Sequence, residues 1–400
     1  MKRVMIVAAR RTPFGRMSGP LAAVSPLEMA TTAAQATLVA IPPAAVELVV
    51  LGQVFTAGQG MNLARQVAVQ AGVPLAAPAY TVNMMCGSGM HAAALGALAI
   101  RSGDCRVALV GGVESMSLAP FILPRPPRGE TLDITAATDT LQHDGLIDSF
   151  SHRHMGQTAE SLAGEFGITR SEQDAFAIRS QRLYAAAHEQ GRFRDELVPV
   201  GGLIHDEPPR PEATLASLAN LRPAFEPHGT VTAANSSGLT NGAAMLVLAE
   251  EEHARRQGWP VLAEWKGGVT VGCDPQRMGL GPVHAIQELF RRQGMNWSGV
   301  DTLEINEAFA AQTLACLRTL ELSIDLSGSH DPLVQHGPSS IRFNAEGGAI
   351  AMGHPLAASG ARLLTHLAWS LHRGESRSAV AALCIGGGMG IAAALSAPGR

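Results

Sequence analysis

The feature that most constrains the fold of this chain is an internal repeat. The segment SGMHAAALGALAIRSGDCRVALVGG, which begins at Ser88, aligns with SGARLLTHLAWSLHRGESRSAVAALCIGG, which begins at Ser359, at a constant offset of 271 positions. Each copy reads as a turn, a helix, a glycine that ends the helix, and a strand. A chain that contains such a unit twice is expected to fold as two similar halves.

A second match supports duplication over chance similarity between alanine-rich helices. VELVVLGQVFTA, at 46–57, aligns with VDTLEINEAFAA, at 300–311, at an offset of 254 positions. The difference between the two offsets predicts about 17 extra residues in the second half. We place them in ELSIDLSGSHDPLVQHGPSS, at 321–340, and predict that this polar segment is a loop.

The pattern along the chain predicts an α/β protein in three parts. Apolar β-branched runs alternate with alanine- and leucine-rich stretches, which is typical of buried parallel strands and helices. Between the halves stands a Pro/Arg-rich loop, followed by a helix whose start has capping-box spacing at Thr169 and Glu172. We therefore predict an N-terminal half at 1–117, completed by about 241–262, a loop domain at 118–240, and a C-terminal half at 263–400.

Composition excludes several classes of function. The net charge is −4 over 400 residues, with no long run of like charge, so nucleic acid is not an expected partner. The five cysteines are far apart and form no C-x-x-C pair, which favours neither disulfides nor zinc and fits a reducing cytoplasm. The N-terminus lacks a signal-peptide core, and glycines interrupt the uncharged run near the C-terminus, so we expect neither export nor membrane insertion.

Cys86 is the first candidate for chemistry. In NMMCGSGM it follows an extended segment and precedes a helix, so the N–H groups of the helix start are expected to lower its thiol pKa and make it a nucleophile. The glycines on both sides of Ser88 are expected to let a substrate carbonyl approach the backbone. On local sequence alone, Cys86 could also be a small buried hydrophobic residue.

Three further turns carry polar groups. GHPLAASG places His354 on the turn that repeats the Cys86 turn. CIGGGMG puts Cys384 at a strand end, before a row of backbone N–H donors that begins at Gly386 and suits an oxyanion or a proton carrier. NEAFAAQ offers Asn306 at another strand-to-helix junction. Taken singly, His354 or Asn306 could be a helix cap and Cys384 a core residue.

Together these stretches resemble the thiolase family, specifically the acetyl-CoA acetyltransferases and 3-ketoacyl-CoA thiolases. The likeness covers nearly the whole chain, in RTPFGR, NMMCGSGM, GGVESMS, SFSHRHMGQTAE, LRPAF, TVTAANSSGLTNGAA, MGLGP, NEAFAAQ, GGAIAMGHP and CIGGGMG. The resemblance implies a thiolase-like fold, in which duplicated α/β halves form a layered α-β-α-β-α core with an inserted loop domain.

The resemblance also implies a role for each candidate. Cys86 would take the acyl group as a thioester. His354 would activate Cys86 and, with a water held by Asn306, would form the oxyanion hole for the enolate. Cys384 would move the proton at the α-carbon, and the N–H groups of Cys86 and Gly386 would form a second oxyanion hole. Two thiols suit this division, because one is covalent and the other carries protons.

The loop domain resembles the family's CoA-binding domain. Coenzyme A or acyl-CoA would therefore be a substrate, with no permanently bound cofactor and no metal. Arg210 would be the phosphate partner, although it could also be a solvated surface arginine. The residues implied to contact CoA are His154, Met155, Arg210, Ser217, Phe225, Ala233, Ser237, Met278, Ala308 and Phe309.

Three departures from the family pattern qualify this reading. Ala357 stands where glycine is usual, and Glu346 stands where asparagine is common. The methyl group of Ala357 would either strain a positive φ or narrow the acyl pocket, and we favour narrowing and therefore short acyl groups. The insertion at 321–340 would shade the tunnel mouth or mediate assembly.

The sequence thus predicts an acyltransferase that cleaves or forms short-chain 3-oxoacyl-CoA, such as acetoacetyl-CoA, through an acyl-cysteine. We expect a cytoplasmic homodimer or homotetramer in fatty acid metabolism, with no membrane partner. Two alternatives stay open. One is decarboxylative condensation, as in the related ketoacyl synthases. The presence of Cys384 argues against this alternative. The other is a non-catalytic acyl-CoA-binding protein, in which Ala357 and Glu346 mark a decayed site.

Overall fold

The structure, a computed structural model, describes residues 2–327 and 331–399. The strands are β1 Val4–Arg11, β2 Gly15–Arg16, β3 Leu48–Gly52, β4 Ala79–Val82, β5 Val107–Ser115, β6 Phe121–Ile122, β7 Thr138–Asp139, β8 Thr240–Glu250, β9 Ala263–Gly272, β10 Thr302–Ile305, β11 Ser323–Ile324, β12 Leu333–His336, β13 Ser339–Phe343, β14 Ser378–Ile385 and β15 Met389–Ser396. The α-helices are α1 Pro26–Thr37, α2 Leu63–Gln70, α3 Ser88–Ser102, α4 Met155–Glu165, α5 Arg170–Glu189, α6 Leu215–Ala219, α7 Glu251–Gln257, α8 Gly281–Gln293, α9 Ala310–Thr319, α10 Ala349–Met352 and α11 Leu356–His372.

The two halves of the chain have the same strand order. It is β4-β3-β5-β8-β1 in the N-terminal half and β13-β10-β14-β15-β9 in the C-terminal half. In each half the first two pairings are parallel and the next two antiparallel. Strands β3 and β10 begin 254 positions apart and β5 and β14 begin 271 apart, which are the offsets of the repeat. The predicted duplication is confirmed.

Helices cover both faces of each half-sheet. Helices α3 and α11 pack against each other between the half-sheets. Helices α1 and α2 cover the outer face of the N-terminal half-sheet, and α8 and α9 cover that of the C-terminal one. This is the predicted α-β-α-β-α layering. The half-sheets also meet edge to edge, because β1 pairs with β9 from Val4–Trp265 to Ile6–Ala263.

Repeated glycines permit the contact between α3 and α11. A Cβ at Gly89 would lie 2.5 Å from the carbonyl oxygen of Ala357, and a Cβ at Gly360 would lie 2.8 Å from the Cβ of Met90. A side chain at Gly87 would meet the Cδ1 of Ile385 at 2.5 Å. The glycines around Ser88 therefore serve helix packing, and the expectation that they admit a substrate carbonyl stays a prediction.

The segment at 321–340 is not the predicted loop. Strand β11 pairs with β12 and β12 pairs with β13, all antiparallel, so two strands extend the C-terminal half-sheet beyond β13. Each strand is short and has few apolar positions, of which Val334 is fully buried, so the alternation was hidden among polar residues. Residues 328–330 of the predicted loop lie outside the described residues.

The segment between β5 and β8 contains the hairpin β6–β7, a π-helical turn at Leu141–Leu146, and helices α4 to α6. Helix α5 begins with the predicted capping box of Thr169 and Glu172. The domain boundaries given above stay a prediction. Within the described residues, no helix is both long and apolar enough to span a bilayer.

Candidate active site

A tight turn between β4 and α3 presents Cys86. The preceding residue, Met85, has φ +46°, a left-handed conformation that costs energy for a residue with a side chain. The hydroxyl of Ser88 holds the turn, since it donates to the carbonyl of Met85 at 2.7 Å and accepts from the N–H of Met84 at 2.8 Å. Cys86 is therefore fixed by its own loop before any substrate arrives.

Both candidate thiols are neutral at neutral pH. Burial raises the pKa of Cys86 to about 11, although the N–H groups of Gly386 and of Cys86 itself act in the opposite direction. Burial, together with the neighbouring Cys86 and Cys316, raises the pKa of Cys384 well above its usual value. The predicted lowering of the Cys86 pKa is wrong, because desolvation outweighs the donors at the turn.

His354 is a neutral imidazole with its Nε2 lone pair free. The hydroxyl of Ser359 donates to the carbonyl of Pro355 at 2.9 Å, so this oxygen can only accept from Nδ1 of His354, which lies 2.5 Å away. The proton therefore sits on Nδ1. Burial, and then the charge of Arg362, lower the pKa of His354 to about 4.

Asn306 lies directly behind His354. It follows β10, is fully buried, and has its Nδ2 3.5 Å from Nε2 of His354. An amide N–H facing this nitrogen agrees with the tautomer assigned above. The Oδ1 of Asn306 has no hydrogen-bond partner among the described residues. The structure thus brings together the two residues that were predicted to form one oxyanion hole.

A cavity of about 330 Å³ joins most of the predicted site residues. Its lining includes twelve of them, namely Cys86, His154, Met155, Phe225, Ala233, Ser237, Met278, Ala308, Phe309, His354, Cys384 and Gly386. Aromatic rings form one wall, where His154 stacks on Phe225 at 4.8 Å and Phe225 meets Phe309 edge-on at 5.9 Å. A mostly apolar cavity with two thiols and two imidazoles, those of His154 and His354, can exchange acyl groups away from water.

Of the other three predicted residues, Asn306 lies beside His354, and Arg210 and Ser217 lie in an adjoining cleft. Arg210 and Ser217 line a cavity of about 560 Å³ together with Arg16, which the sequence reasoning missed. This cleft shares Ala233, Ser236, Gly238 and Leu239 with the first cavity. The two spaces are therefore adjacent, with the thiols in the first and the arginines in the second.

Ala357 does not narrow the cavity. It is fully buried in the first turn of α11, is absent from the cavity lining, and does not have a positive φ. It packs in an apolar cluster behind the cavity. Both forms of the expectation for Ala357 are therefore wrong. The adjacent Leu356 lines the cavity in its place.

Several lining residues were missed by the sequence analysis. Gln142, Gly145 and Leu146 come from the π-helical turn, and Met116 comes from the end of GGVESMS. A π-helical turn leaves no clear sequence signature, so no local signal marks the first three. A Cβ at Gly145 would lie 3.7 Å from Cδ1 of Leu356, and Leu146 and Leu356 belong to one apolar cluster against which Cys86 packs.

Glu114 also received no predicted role. It is fully buried on β5 and accepts the N–H groups of Val54, Phe55 and Ala357 at 3.1 to 3.2 Å. Burial raises its pKa to about 7, against these three donors. Glu114 thus links the N-terminal half to the start of α11, and the motif GGVESMS could have drawn attention to it.

One further buried group brings charged side chains together outside both cavities. Glu304, Glu346 and His366 each place one carboxylate oxygen or ring nitrogen within 4.8 Å of the others. Each ring nitrogen of His366 already faces a carboxylate, Glu196 on one side and Glu346 on the other. We therefore describe this group as a set of ion pairs.

Comparison with known proteins identifies the family. The family domain described as "Thiolase, N-terminal domain" matches residues 4–252, and "Thiolase, C-terminal domain" matches residues 259–397. The chain belongs to the thiolase family. It is 43% identical to the acetyl-CoA acetyltransferase of Pseudomonas aeruginosa over 407 positions, which cover 99% of this chain and 100% of that one. It is 44% identical to the acetyl-CoA acetyltransferase of Shinella zoogloeoides over 398 positions, 97% of each chain.

Solved structures agree with this assignment. Human mitochondrial 3-ketoacyl-CoA thiolase in complex with CoA is 37% identical, with a TM-score of 0.90 over 100% of this chain and 98% of that one. The acetyl-CoA acetyltransferase of Bacillus anthracis is also 37% identical, with a TM-score of 0.91 over 100% and 99% of the two chains. The predicted family and the thiolase fold are confirmed.

Proposed function

We propose that this protein is an acetyl-CoA acetyltransferase, which catalyses reversible thiolysis and Claisen condensation of short-chain 3-oxoacyl-CoA. The observation that carries the proposal is the meeting of Cys86, His354 and Cys384 in one cavity that adjoins an arginine-lined cleft. A non-catalytic binding protein would not need a histidine in a defined tautomer in the same cavity as two thiols.

Acyl transfer begins at Cys86. The lone pair on Nε2 of His354 takes the thiol proton, and the sulfur attacks the thioester carbonyl. The N–H groups of Gly386 and Cys86, which point at the Cys86 sulfur, stabilise the oxyanion of the tetrahedral intermediate. Collapse of the intermediate expels the CoA sulfur, which takes the proton from His354. Cys86 then holds the acyl group as a thioester.

Carbon–carbon bond formation uses Cys384. Its thiol gives its proton to Nε2 of His354, and the resulting thiolate takes a proton from the α-carbon of acetyl-CoA. The enolate oxygen is stabilised by the protonated Nε2 of His354 and at Asn306. The α-carbon attacks the acyl-Cys86 carbonyl and expels the Cys86 sulfur, which takes the proton from His354. Thiolysis runs the same steps in reverse, with Cys384 protonating the leaving enolate. The raised pKa of the Cys384 thiol supports this role, since a strong base is needed at carbon.

Coenzyme A enters as substrate through the adjoining cavities, with the thiol end near Cys86. We assign the pantetheine to the passage lined by His154, Phe225 and Phe309, and the phosphates to Arg210 and Arg16. The exposure of Arg210 and its place in the cleft support this assignment. The CoA complex of the human mitochondrial relative supports CoA as a ligand of this fold.

The preference for short acyl groups rests on bulky side chains near Cys86. Met116, Leu146 and Leu356 line the cavity and belong to the apolar cluster against which Cys86 packs. These residues replace Ala357 as the reason for a short-chain preference, because a hydrocarbon chain longer than a few carbons must displace them.

Assembly and compartment are part of the proposal. The hairpin β6–β7 and the residues it encloses expose large apolar side chains, with Phe121 67% and Ile134 73% accessible, which supports a homodimer or homotetramer. All five cysteines are free thiols, which supports a reducing, cytoplasmic setting. Reversible cleavage of 3-oxoacyl-CoA would place the protein in fatty acid metabolism.

The test is thiolysis. Purified protein is mixed with acetoacetyl-CoA and CoA, and the loss of the 3-oxoacyl absorbance is followed. We expect turnover with formation of acetyl-CoA. Absence of turnover with acetoacetyl-CoA and with longer 3-oxoacyl-CoA would overturn the proposal. Activity that requires a malonyl thioester would point to decarboxylative condensation.

A further inference from the structure

A group of buried charged side chains surrounds His366, outside the two cavities. Nδ1 of His366 lies 2.9 Å from Oε2 of Glu196, and Nε2 lies 3.3 Å from Oε2 of Glu346. The side chains of these three residues are at most 7% exposed. Oε1 of Glu196 accepts from Nε of Arg11 at 2.7 Å. The group thus ties β1, the loop domain, α11 and the segment before α10 together.

His366 carries a positive charge in this setting. Both of its ring nitrogens face carboxylate oxygens, and only the imidazolium form donates from both. Burial opposes the charge, but Glu196 and Glu346 outweigh it and raise the pKa of His366 to about 10. Glu346 is also held by Arg342, whose Nη2 donates to Oε1 at 2.7 Å.

The pair of Glu346 and His366 closes the segment that carries His354. Glu346 precedes α10, His366 lies in α11, and His354 stands in the short connection between these two helices. The ion pair joins positions that are 20 residues apart. The pair joins the chain before His354 to the chain after it, so the position of His354 is restrained from both sides.

Strand β10, which directly precedes Asn306, contributes Glu304 to the same group of charges. Glu304, on β10, lies 3.5 Å from Nη1 of Arg362 and is nearly fully buried. Its Oε1 has no hydrogen-bond partner among the described residues, so Glu304 is held by charge and by packing. Arg362 is on α11 as well, two turns from His354, and is among the causes that lower the pKa of His354 after burial.

We propose that His366 and Glu346 are positioning residues, whose buried ion pair holds His354 in register with Asn306 during thiolysis and condensation. This inference rests on the proposed function for its kinetic readout.

The test compares Glu346→Gln, His366→Gln and the double variant in the full-length chain. Rates of acetoacetyl-CoA thiolysis are divided by the fraction of folded protein. We expect each single variant to lower kcat by about 10- to 100-fold, because a small misplacement of a catalytic group has effects of that size, with KM for CoA changed by less than about two-fold. The double variant should lose no more than the worse single variant, since the pair acts as one unit.

The direction of the two single effects separates positioning from simple electrostatics. Glu346→Gln removes a negative charge and His366→Gln removes a positive one, so electrostatic tuning of His354 would move the two rates in opposite directions. Rates that move in opposite directions, or a kcat within two-fold of wild type, would overturn the proposal. Stoichiometric metal in elemental analysis of the wild type would overturn it too.

A matched control lies at the other end of α11. Glu375, which is mostly buried, accepts from Nε of Arg373 at 2.6 Å and is remote from His354 in the chain. Glu375→Gln should lower stability without lowering kcat. If Glu346→Gln does not fold, Glu346→Asn replaces it, because this shorter amide also removes the negative charge that pairs with His366.

Alkylation of Cys86 by iodoacetamide at pH 7 separates this inference from the proposed function. At this pH the thiol is protonated, so the reaction depends on the base that takes its proton. We expect slower alkylation in Glu346→Gln and His366→Gln than in wild type and in Glu375→Gln, even if the wild type shows no thiolysis. Equal alkylation rates in all four proteins would overturn the positioning role.

Discussion

The two halves of this protein share one frame and divide the chemistry between them. The turn before α3 carries Cys86, whereas the matching position in the second half is Ala357. In the reverse direction, Asn306 matches Gly52 and Cys384 matches Val113. The difference shows how a duplicated fold can specialise, with the covalent attachment point in one copy and the proton and oxyanion groups in the other.

The turns that follow β3 and β10 match each other in the repeat, and they differ in the side-chain hydrogen bonds that hold them. Gln53 and Glu307 occupy equivalent, fully buried positions. Gln53 donates to the carbonyl of Phe55 within its own loop at 3.0 Å. Glu307 accepts from Asn344 at 2.9 Å and from Ser180 of the loop domain at 2.6 Å. Glu307 is therefore hydrogen-bonded to the loop domain, whereas Gln53 is hydrogen-bonded within its own loop.

The largest effect is expected when Cys86, the covalent attachment point, is removed. Cys86→Ala is expected to lower acetoacetyl-CoA thiolysis by at least roughly 10⁴-fold, because no second nucleophile replaces the sulfur. Cys105→Ala, at a buried cysteine of the same half, is the control and should stay near wild-type activity. Thiolysis above about a hundredth of wild type in Cys86→Ala would show that the covalent step is not confined to the first half.

Loss of the proton carrier is expected to have a smaller and more selective effect. Cys384→Ala should lower condensation and thiolysis by about 10²- to 10⁴-fold. Acylation of Cys86 by acetyl-CoA should persist, because that step needs only Cys86, His354 and the backbone donors. Mass spectrometry of the intact protein measures the acyl-enzyme. If acylation fails together with condensation, the two thiols do not have separate tasks.

The pH dependence of Cys86 alkylation sharpens the description of the first-half turn. With a thiol pKa of about 11, the thiolate fraction should rise by about ten-fold per pH unit between pH 7 and 10. The alkylation rate, followed by mass spectrometry of the Cys86 peptide, should rise with it. A rate that levels off near pH 7 would mean that the helix start, rather than burial, governs this thiol.

The smallest effect is expected at the position that matches Cys86. Ala357→Gly should lower the free energy of unfolding by up to about 1 kcal/mol, measured by denaturant titration, because glycine is less favourable in the first turn of α11. The preference among 3-oxoacyl-CoA lengths should not change. Leu356→Ala is the matched comparison and should raise kcat/KM for longer chains. A changed chain-length preference in Ala357→Gly would show that the methyl group of Ala357 does limit the acyl pocket.

The sequence was most informative where a motif and the repeat coincided. Cys86, His354 and Cys384 each belong to a short local motif, and the structure brings all three into one cavity. The pKa of Cys86 was mispredicted, because local N–H donors are visible in sequence whereas burial depends on residues from the other half. Ala357 was assigned to the pocket wall in place of its neighbour Leu356, since the rotation of a helix start depends on its packing.

Long-range contacts account for the other differences. Strands β11 and β12 are too short to be recognised without β13 as a partner. The ion pair joins Glu346, which the sequence analysis noted as unusual, to His366, which lies in no recognised motif. Only the folded chain shows that the two residues are in contact. Motifs therefore predicted the reacting atoms, while the support around them required the fold.

The place of β1 in the sheet has a consequence for the growing chain on the ribosome. This strand begins at Val4 but lies between β8 and β9, which are more than 230 residues later in the sequence. During translation an apolar segment, VMIVAARR, therefore waits without either neighbour until well over half of the polypeptide has been synthesised. The first strand to emerge is thus among the last to acquire both of its partners, and the nascent chain is expected to need shielding by a chaperone in that interval.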